Sequence, residues 1–502
     1  MIDYLKKRPM LLSGICASFL CVVGFYSRTA IFFLGLILIL FFFFLLQKGV
    51  YPVYIFVVFM LVVTSVGVLM TYNRIDKISE SDGDTVTGSF VVVENPVNHG
   101  NYYSSVIKVL ECAGLESGTR IMVFGNEGGF EYGDKIAATV SLKKIDEKYR
   151  SSDYSEKIYL TGNMNGLTVY SGQGGFVISR VKELREYIVD TLFSNTDYKE
   201  AATLTALTIG DRSYLSNEFY LNSKAAGVSH IMVVSGMHLV IIVSLVTGCL
   251  EKIVYNRYLK AITVLITVLF MSALCGFTKS IIRAGICYII YAVSIILERD
   301  NTPENTLGAA VTLILTVEPF TIFSASFQLS VLSTLGITAA ALPITEYLKK
   351  KYTDDSFIIA ALDIAIVSLC ALVFTLPLTT YYFGYISTVS VVSNVLISCA
   401  VSLSLVFAAL GLALYYAFPM GGHILLTAAS LVTRYVNFVI NTLGSWPFAV
   451  AKLGNFGFVL ALLLLFSLIF VLFACKRRRD MLKLKEMHEK IISEGGGKLK
   501  WR

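Results

Sequence analysis

Long apolar runs are the feature that most constrains this chain of 502 residues. Residues 10–26, 29–47 and 51–72 are each hydrophobic over the length that a helix needs to cross a bilayer, and similar runs return after residue 225. Only 15% of the residues are charged, whereas a soluble globular chain carries about a quarter. The sequence therefore predicts a polytopic α-helical membrane protein.

About twelve transmembrane helices account for these runs, three before the polar region that begins at residue 73 and nine after it. The nine further spans run approximately over 225–249, 259–277, 281–297, 305–319, 320–342, 356–376, 388–416, 423–446 and 455–475. Pro319 separates two runs and Pro377 is expected to end or kink another. Interrupted segments are tolerated in a membrane only where they pack against protein or line a watery cavity.

Basic clusters place both termini in the cytoplasm. Residues 6–8 are basic and precede the first span, so the positive-inside rule holds them on the cytoplasmic side. With twelve spans, the basic loop at 252–260, the lysines at 349–351 and the tail from residue 476 all fall on that same side. We therefore expect a multi-pass cell-membrane protein whose N- and C-termini are cytoplasmic.

Changes in polarity divide the chain into five segments. Within the third, Val181–Phe193 places its apolar residues on one stripe with charges opposite, which predicts a helix lying on the membrane or at a channel mouth. The predicted segments are a three-helix membrane segment at 1–72, an extracytoplasmic β-domain at 73–178, amphipathic helices at the membrane surface at 179–222, a transmembrane domain at 223–475 and a basic cytoplasmic tail at 476–502.

The polar region after the third span carries short β-prone runs broken by turn residues. They cover 86–94, 101–110, 119–124, 135–142 and 166–170. Five such strands predict a small barrel or sandwich, and five is also the strand number of an OB-fold, which often binds single-stranded nucleic acid. Tyr102, Tyr103 and Lys108 are candidates for an aromatic and basic platform, with ordinary cross-strand pairs as the alternative interpretation.

Polar side chains at the start of an apolar run mark a candidate site. The string GVSHIMVVSGMHL, Gly227–Leu239, carries His230, Ser235 and His238. At 100° per residue, all three lie on one arc of a helix. Such residues are costly in a membrane unless they face protein or water, so we expect helix packing, a polar lining or contact with a transported chain.

Four more polar residues near or within apolar runs are candidates for a transport pathway. Arg283 lies three residues inside a span, and the fork of its guanidinium matches phosphate oxygens. Lys279 is at the end of that span, where snorkelling is the alternative. Gln328 and Asn394 could line a pathway or form interhelical hydrogen bonds.

Two further charges lie within apolar runs. Asp363 is expected to pair with a basic residue or to be protonated, although the sequence does not show its partner. Arg434 shares a predicted helix face with Asn437 and Asn441, which suggests an interface.

Four strings stand out in order along the chain. They are GVSHIMVVSGMHL with the preceding ALTIGDR (Ala206–Arg212), GFTKSIIRAGI from Gly276, EPFTIFSASFQLSVLSTLGI from Glu318 and LPLTTYYFGYISTVSVVSN from Leu376. Together they resemble the ComEC family of bacterial competence proteins, which are inner-membrane channels, and the similarity covers roughly residues 1–475.

The resemblance implies a channel that passes single-stranded DNA across the bacterial cell membrane during natural transformation, with an OB-like domain outside. Its expected partners are single-stranded DNA, membrane lipids, a separate DNA receptor, a nuclease and a cytoplasmic ATP-driven translocase, and a homo-oligomer is left open. Many relatives continue into a metallo-β-lactamase-like domain. Because this sequence ends in a basic tail, we expect nuclease activity to come from another protein.

The sequence offers little sign of chemistry. It lacks a glycine-rich phosphate-binding loop and clustered metal ligands, and the spacing of His230 and His238 does not fit a one-turn ligand pair. We therefore expect no cofactor, no metal and no enzymatic activity. One alternative is an intramembrane hydrolase using Ser235 and a histidine, although no orienting carboxylate is evident. The other is a transporter of an anionic, lipid-linked substrate.

Overall fold

The computed structural model describes residues 8–452 except 48–51, 94–95, 99–101, 127–128, 131, 171–175, 233, 251–255, 278, 298–301 and 352–356. The predicted span at 455–475 and the basic tail at 476–502 lie outside the described residues.

Three apolar helices open the structure, and each coincides with a predicted span. They are α1 (Pro9–Tyr26), α2 (Arg28–Gln47) and α3 (Pro52–Ser79). The last helix extends beyond residue 72 because its final turns pack against the first two helices: the Tyr72 hydroxyl donates to the Phe25 carbonyl oxygen over 2.6 Å, and Arg28 pairs with Asp76 over 2.5 Å.

A β-barrel follows. Its strands are β1 (Thr85–Val92), β2 (Val97–Asn98), β3 (Tyr103–Cys112), β4 (Arg120–Gly125), β5 (Lys135–Lys144) and β6 (Ile158–Tyr170), with helix α4 (Arg150–Ser155) before the last strand. The strands pair in the order β1–β5–β6–β4–β3, and β3 pairs again with β1, so the sheet closes on itself. Only the β4–β6 pair is parallel among these described pairings. Phe90, Ile107, Ile121, Ile136 and Leu160 are fully buried in its core.

The last strand is much longer than predicted. The prediction of a strand at 166–170 was wrong in extent, because β6 begins at Ile158. Its first half contains Gly162 and asparagines, which have low β-propensity. A side chain at Gly162 would bring a Cβ within 2.4 Å of Val140 on the neighbouring strand, so close packing requires glycine where propensity disfavours it.

Three helices connect the barrel to the second half of the bundle: α5 (Phe176–Asn195), α6 (Tyr198–Ile209) and α7 (Asn217–Ala225). Helix α6 is buried from Glu200 to Ile209 and packs against later apolar helices. Within the protein this helix is therefore internal rather than superficial. The position of the 179–222 segment relative to the membrane stays a prediction.

Most of the remaining helices follow the predicted apolar runs, whereas the helix at Leu342–Lys351 extends past the predicted end of a span at residue 342. They are α8 (Gly236–Leu250), α9 (Arg257–Leu274), α10 (Lys279–Ile296), α11 (Pro303–Val317), α12 (Ala325–Gly336), α13 (Leu342–Lys351), α14 (Phe357–Phe383), α15 (Ser390–Ala417) and α16 (Pro419–Gly444). A 3₁₀ turn at Pro319–Phe323 and a π-helical turn at Ile337–Ala341 interrupt the middle of this series. Pro377 does not end its helix, which continues to Phe383. Short strands β7 (Tyr385–Ser387) and β8 (Val450–Lys452) pair beside the helix ends.

Seven helices in the described part are long and apolar enough to cross a membrane. They are the helices at Pro9–Tyr26, Tyr54–Ser79, Arg257–Leu274, Ala325–Lys349, Ala360–Phe383, Ser390–Ala417 and Pro419–Gly444. Shorter apolar helices lie at Arg28–Phe44, Gly236–Leu250 and Ser280–Ser294. The protein is therefore a mostly helical membrane protein.

The barrel sits on one end of the bundle, at the 3₁₀ turn between α11 and α12. The Lys157 ammonium lies 2.6 Å from the Glu318 carboxylate, which ties the start of β6 to the end of α11. The Tyr154 ring stacks on Phe320 with centroids 6.1 Å apart. These contacts join the barrel to the string that begins at Glu318.

Both charges noted within apolar runs have partners in the fold. The Asp363 carboxylate forms an ion pair with the Lys349 ammonium, with 2.7 Å between oxygen and nitrogen, which confirms that Asp363 is paired with a basic residue. Arg434 contacts the Asp197 and Glu200 carboxylates at 2.5 and 3.4 Å. One helical turn further on, Asn437 accepts a hydrogen bond from Thr203 over 2.9 Å. The polar face of α16 is therefore an interface, and it holds α6.

Candidate channel and nucleic-acid-binding surfaces

Residues 226–232 and 234–235 form turns and irregular chain, and α8 begins only at Gly236. The prediction that His230, Ser235 and His238 share one helical arc was therefore wrong, because 100° per residue applies only within a helix. His230 lies in a turn with an exposed side chain, whereas His238 is fully buried in the first turn of α8.

Ser235 and His238 form a helix cap. The Ser235 backbone N–H donates to His238 Nδ1 over 3.1 Å, and the Ser235 hydroxyl oxygen lies 3.0 Å from that same nitrogen. This places an imidazole where a capping box has a Glu or Gln side chain. Because Nδ1 accepts these contacts, the ring proton belongs on Nε2, which has no hydrogen-bond partner among the described residues. No described carboxylate orients the ring, unlike the histidine of a catalytic triad.

Gly227 lies where two of the resembling strings are in contact. Its φ is +74°, and a Cβ at this position would lie 2.3 Å from the Ser390 Cβ and 2.8 Å from the Ser387 Cβ. The Ser387 hydroxyl also donates to the Ala225 carbonyl oxygen over 2.7 Å. The turn before α8 is therefore seated directly on the loop that starts α15.

A cavity of about 1130 Å³ lies between helices α8 to α12. It runs along α10 from Ser280 to Ser294. Its wall combines aliphatic residues with hydroxyl groups and one deeply placed cation. The polar residues that line it include Thr247, Thr263, Ser280, Arg283, Thr306 and Ser330.

Arg283 is the buried cation of this wall, with only 8% of its surface exposed. One terminal nitrogen donates to the Ser326 carbonyl oxygen over 2.9 Å, and the other lies 3.5 Å from the Ser280 hydroxyl. The guanidinium carbon lies 5.8 Å from the centroid of the Phe327 ring, and Nε has no partner among the described residues. These neighbours are neutral, so the positive charge is left without a carboxylate in the described part of the wall.

None of the other pathway candidates whose side chains are described lines the cavity wall. Gln328 joins two segments, because its side chain donates to the Ile322 carbonyl oxygen over 2.7 Å and accepts from the Tyr382 hydroxyl over 3.0 Å. Asn394 is half-buried on α15. Lys279 begins α10, and its side chain lies outside the described residues. Among the candidates with described side chains, Arg283 is the one that lines the cavity, while Ser235 immediately precedes the wall residue Gly236.

Sequence reasoning missed most of the α10 face that lines the cavity. Ser280, Cys287, Tyr288 and Ser294 lie on this face together with Arg283. Counted from Ser280, the others lie three, seven, eight and fourteen residues further on, which is the period of one helix face, and this spacing could have marked them once Arg283 was singled out.

The barrel carries a surface that combines cations with aromatic rings. Lys108 on β3 is directly opposite Arg120 on β4, so both side chains point to the same face of the sheet. At the other end of these strands the rings of Tyr102 and Phe124 meet edge to face with centroids 6.0 Å apart. Tyr103 and Lys108 are five positions apart on β3, so their side chains point to opposite faces. Arg120 and Phe124 were not predicted.

Comparison with known proteins gives the family. A sequence model described as "Competence protein" matches residues 207–479. The chain is also 24% identical over 217 residues to ComE operon protein 3 of Bacillus subtilis (strain 168), and the match covers 43% of this chain and 27% of that protein. The chain thus matches less than a third of that relative's length. No solved structure matches. Since the family match takes in more than half the chain and all four resembling strings, this protein belongs to the ComEC family of competence proteins.

Proposed function

We propose that this protein is a multi-pass channel, with cytoplasmic termini, for the passage of single-stranded DNA across the cell membrane during natural transformation. The observation that carries the proposal is the cavity between α8 and α12 with Arg283 buried in its wall. A buried cation whose described neighbours are neutral attracts an anion, and a guanidinium suits the oxygens of a phosphate.

We further propose that the barrel is OB-like and holds the strand outside the membrane. Its closed five-strand order with one parallel pair is compatible with a Greek-key barrel of that class. Lys108 and Arg120 are like charges placed directly opposite each other, an arrangement that a bound anion would stabilise. At the other end of the same two strands, the Tyr102 and Phe124 rings supply the stacking surface that single strands use.

In this proposal the protein performs no chemistry and binds no cofactor. The driving force comes from a separate cytoplasmic ATP-driven translocase, and DNA capture and strand degradation come from a separate receptor and nuclease. The hydroxyl groups of the cavity wall exchange hydrogen bonds with phosphate oxygens, while Arg283 supplies the charge. Because such contacts are largely electrostatic, strand binding weakens as salt rises.

Two alternatives have an observation in their favour. Val240, Val243 and Ile314 give the cavity an aliphatic side that would suit the acyl chain of an anionic lipid. The 3.0 Å separation of the Ser235 hydroxyl and His238 Nδ1 would suit an intramembrane hydrolase. Labelling by a serine-reactive probe that disappears in Ser235→Ala would favour the hydrolase.

The test of the channel is DNA uptake by transformable cells in which this gene is the sole source of the channel. Internalised strands and surface-bound DNA are scored separately, with the membrane level of each variant measured. Arg283→Gln should reduce internalised DNA at least tenfold while surface binding and protein level are kept, and Arg283→Lys should retain part of the uptake because the charge remains. Arg180→Gln is the matched control, since Arg180 is exposed and paired with Glu183.

Normal internalisation by Arg283→Gln would remove this residue from the pathway. If uptake is also unchanged when the gene is deleted, a different anionic cargo replaces DNA in the proposal, and anionic lipid transport becomes the next function to measure.

A further inference from the structure

Two cations and one aromatic ring form a cluster in the segment that leads to α8. We call Arg212, Tyr220 and Lys224 the rim cluster. Tyr220 and Lys224 are four residues apart on α7, so they share one face of that helix. The Lys224 ammonium lies 4.3 Å from the Tyr220 ring centroid, and the Arg212 guanidinium carbon lies 5.8 Å from it. Arg212 is exposed, and the other two are half-buried.

The positive charge of the rim cluster has no described carboxylate partner. Asp211 is adjacent to Arg212, but its carboxylate is 3.4 Å from Arg185 and accepts from the Ser213 backbone N–H over 3.0 Å. Glu218, on the same short helix, forms no described ion pair with either cation. The helix dipole stabilises the positive charge of Lys224 in the last turn of α7. It does not account for the second positive charge, Arg212, on the same ring. Two like charges on one ring favour a bound anion.

The segment that carries the rim cluster is connected to both the cavity wall and the barrel. On the cavity side, a Cβ at Gly210 would lie 3.1 Å from Val234, and two residues later Gly236 lines the cavity beside Ala284. On the barrel side, the α5 helix that carries Arg185 is joined to the barrel by an ion pair of 3.1 Å between Lys182 and Asp134. Asp211, next to Arg212, pairs with Arg185 of α5, so this segment is linked to the barrel through α5 and to the cavity wall through Val234.

We propose that Arg212 and Lys224 bind consecutive phosphodiester groups of a single nucleic-acid strand as it moves from the barrel to the cavity, and that Tyr220 positions the two cations. This inference rests on the proposed channel function. The guanidinium offers a fork and the ammonium a compact charge, both of which bind phosphate. Because the cations occupy the Tyr220 ring, the contact is to the backbone and independent of base sequence. Ser213, Ser216 and Asn217 are exposed around the cluster, and such polar surroundings favour a hydrated strand over a lipid headgroup.

The test measures binding of a fluorescent thirty-nucleotide oligothymidylate to the full-length protein in nanodiscs of neutral lipid, across a range of KCl concentrations. Loss of two phosphate contacts in Arg212→Gln/Lys224→Gln should lower the slope of log K against log salt by about 1.4, with weaker binding at low salt. The charge-conserving Arg212→Lys/Lys224→Arg should keep the slope. Arg180→Gln/Arg257→Gln removes two charges elsewhere and is the control.

An unchanged slope in Arg212→Gln/Lys224→Gln would refute the inference, as would an equal fall in the control pair. A second arm compares thermal stability in nanodiscs with and without phosphatidylglycerol. If the rim variant keeps its oligonucleotide binding but loses stabilisation by the anionic lipid, the site binds a headgroup and the inference is overturned. The channel proposal is tested separately, because the Arg283→Gln experiment measures DNA internalisation in cells and not equilibrium binding.

Discussion

Replacing Gly227 by alanine tests the contact that seats the turn before α8 on the start of α15. The residue has a φ of +74°, and an added Cβ would meet the Ser390 Cβ at 2.3 Å. Alanine in the left-handed region costs roughly 1–2 kcal/mol, and forcing an extra carbon into a packed site adds about 1–3 kcal/mol. We therefore expect Gly227→Ala to lower the free energy of unfolding by about 2–5 kcal/mol.

Gly384 provides the matched control. Its φ of +72° is nearly the same, but nothing lies within 4 Å of an added Cβ. Gly384→Ala should therefore cost only the backbone part, about 1–2 kcal/mol. Removing the obstructing carbon in Gly227→Ala/Ser390→Gly should recover part of the difference, and Ser390→Gly alone gives the reference for that double variant.

The measurement is reversible unfolding of the purified protein in mixed micelles, followed by tryptophan fluorescence with helical content as a second probe. Equal losses in Gly227→Ala and Gly384→Ala would refute the packing account. So would a double variant that is no more stable than Gly227→Ala, because relief at Ser390 is the predicted source of the recovery.

Two further predictions concern contacts that fix the barrel and α5. The Arg185 guanidinium donates to the Leu274 and Ile209 carbonyl oxygens at 2.5 and 3.4 Å, so Arg185→Lys should lose about 1–3 kcal/mol of stability. Arg180 is exposed, and Arg180→Lys should lose almost none. Thermal unfolding compares the two variants, and equal melting temperatures would contradict this prediction. The pair of Lys157 with Glu318 predicts that Lys157→Glu or Glu318→Lys alone loosens the barrel and speeds its proteolysis, while the double swap restores resistance. A double swap that is cleaved as fast as either single variant would show that the pair does not hold the barrel.

Hydropathy located the membrane helices because it is a local property of the chain. Helix α8 is the exception: the apolar residues before Gly236 predicted a helix, but the chain forms a turn at Gly227 instead. The turn at Gly227 contacts the start of α15, whose residues lie more than 150 positions further along the chain. The hydrogen bond from the Ser387 hydroxyl to the Ala225 carbonyl oxygen is one of these contacts. Local periodicity carries no information about such a contact.

The burial of α6 has a similar origin. Glu200 and Thr203 are polar, yet α6 is internal because Arg434 and Asn437 supply their partners from α16. For the candidate site, a single charge inside an apolar run was enough to predict Arg283, because burying a charge is costly. The neutral residues of the same wall, such as Cys287, gave no comparable signal.

The central claim is that the cavity between α8 and α12 is a water-accessible DNA path, and the most direct test uses Cys287 in its wall. A variant retaining this cysteine alone is exposed to a charged, membrane-impermeant thiol reagent, with and without single-stranded DNA. A second variant retaining only Cys370, which is buried away from this cavity, is the control. The account predicts that Cys287 is labelled, that labelling blocks DNA internalisation, that bound DNA slows the labelling, and that Cys370 stays unlabelled. Labelling of Cys287 that leaves internalisation intact, or no labelling at all, would contradict it.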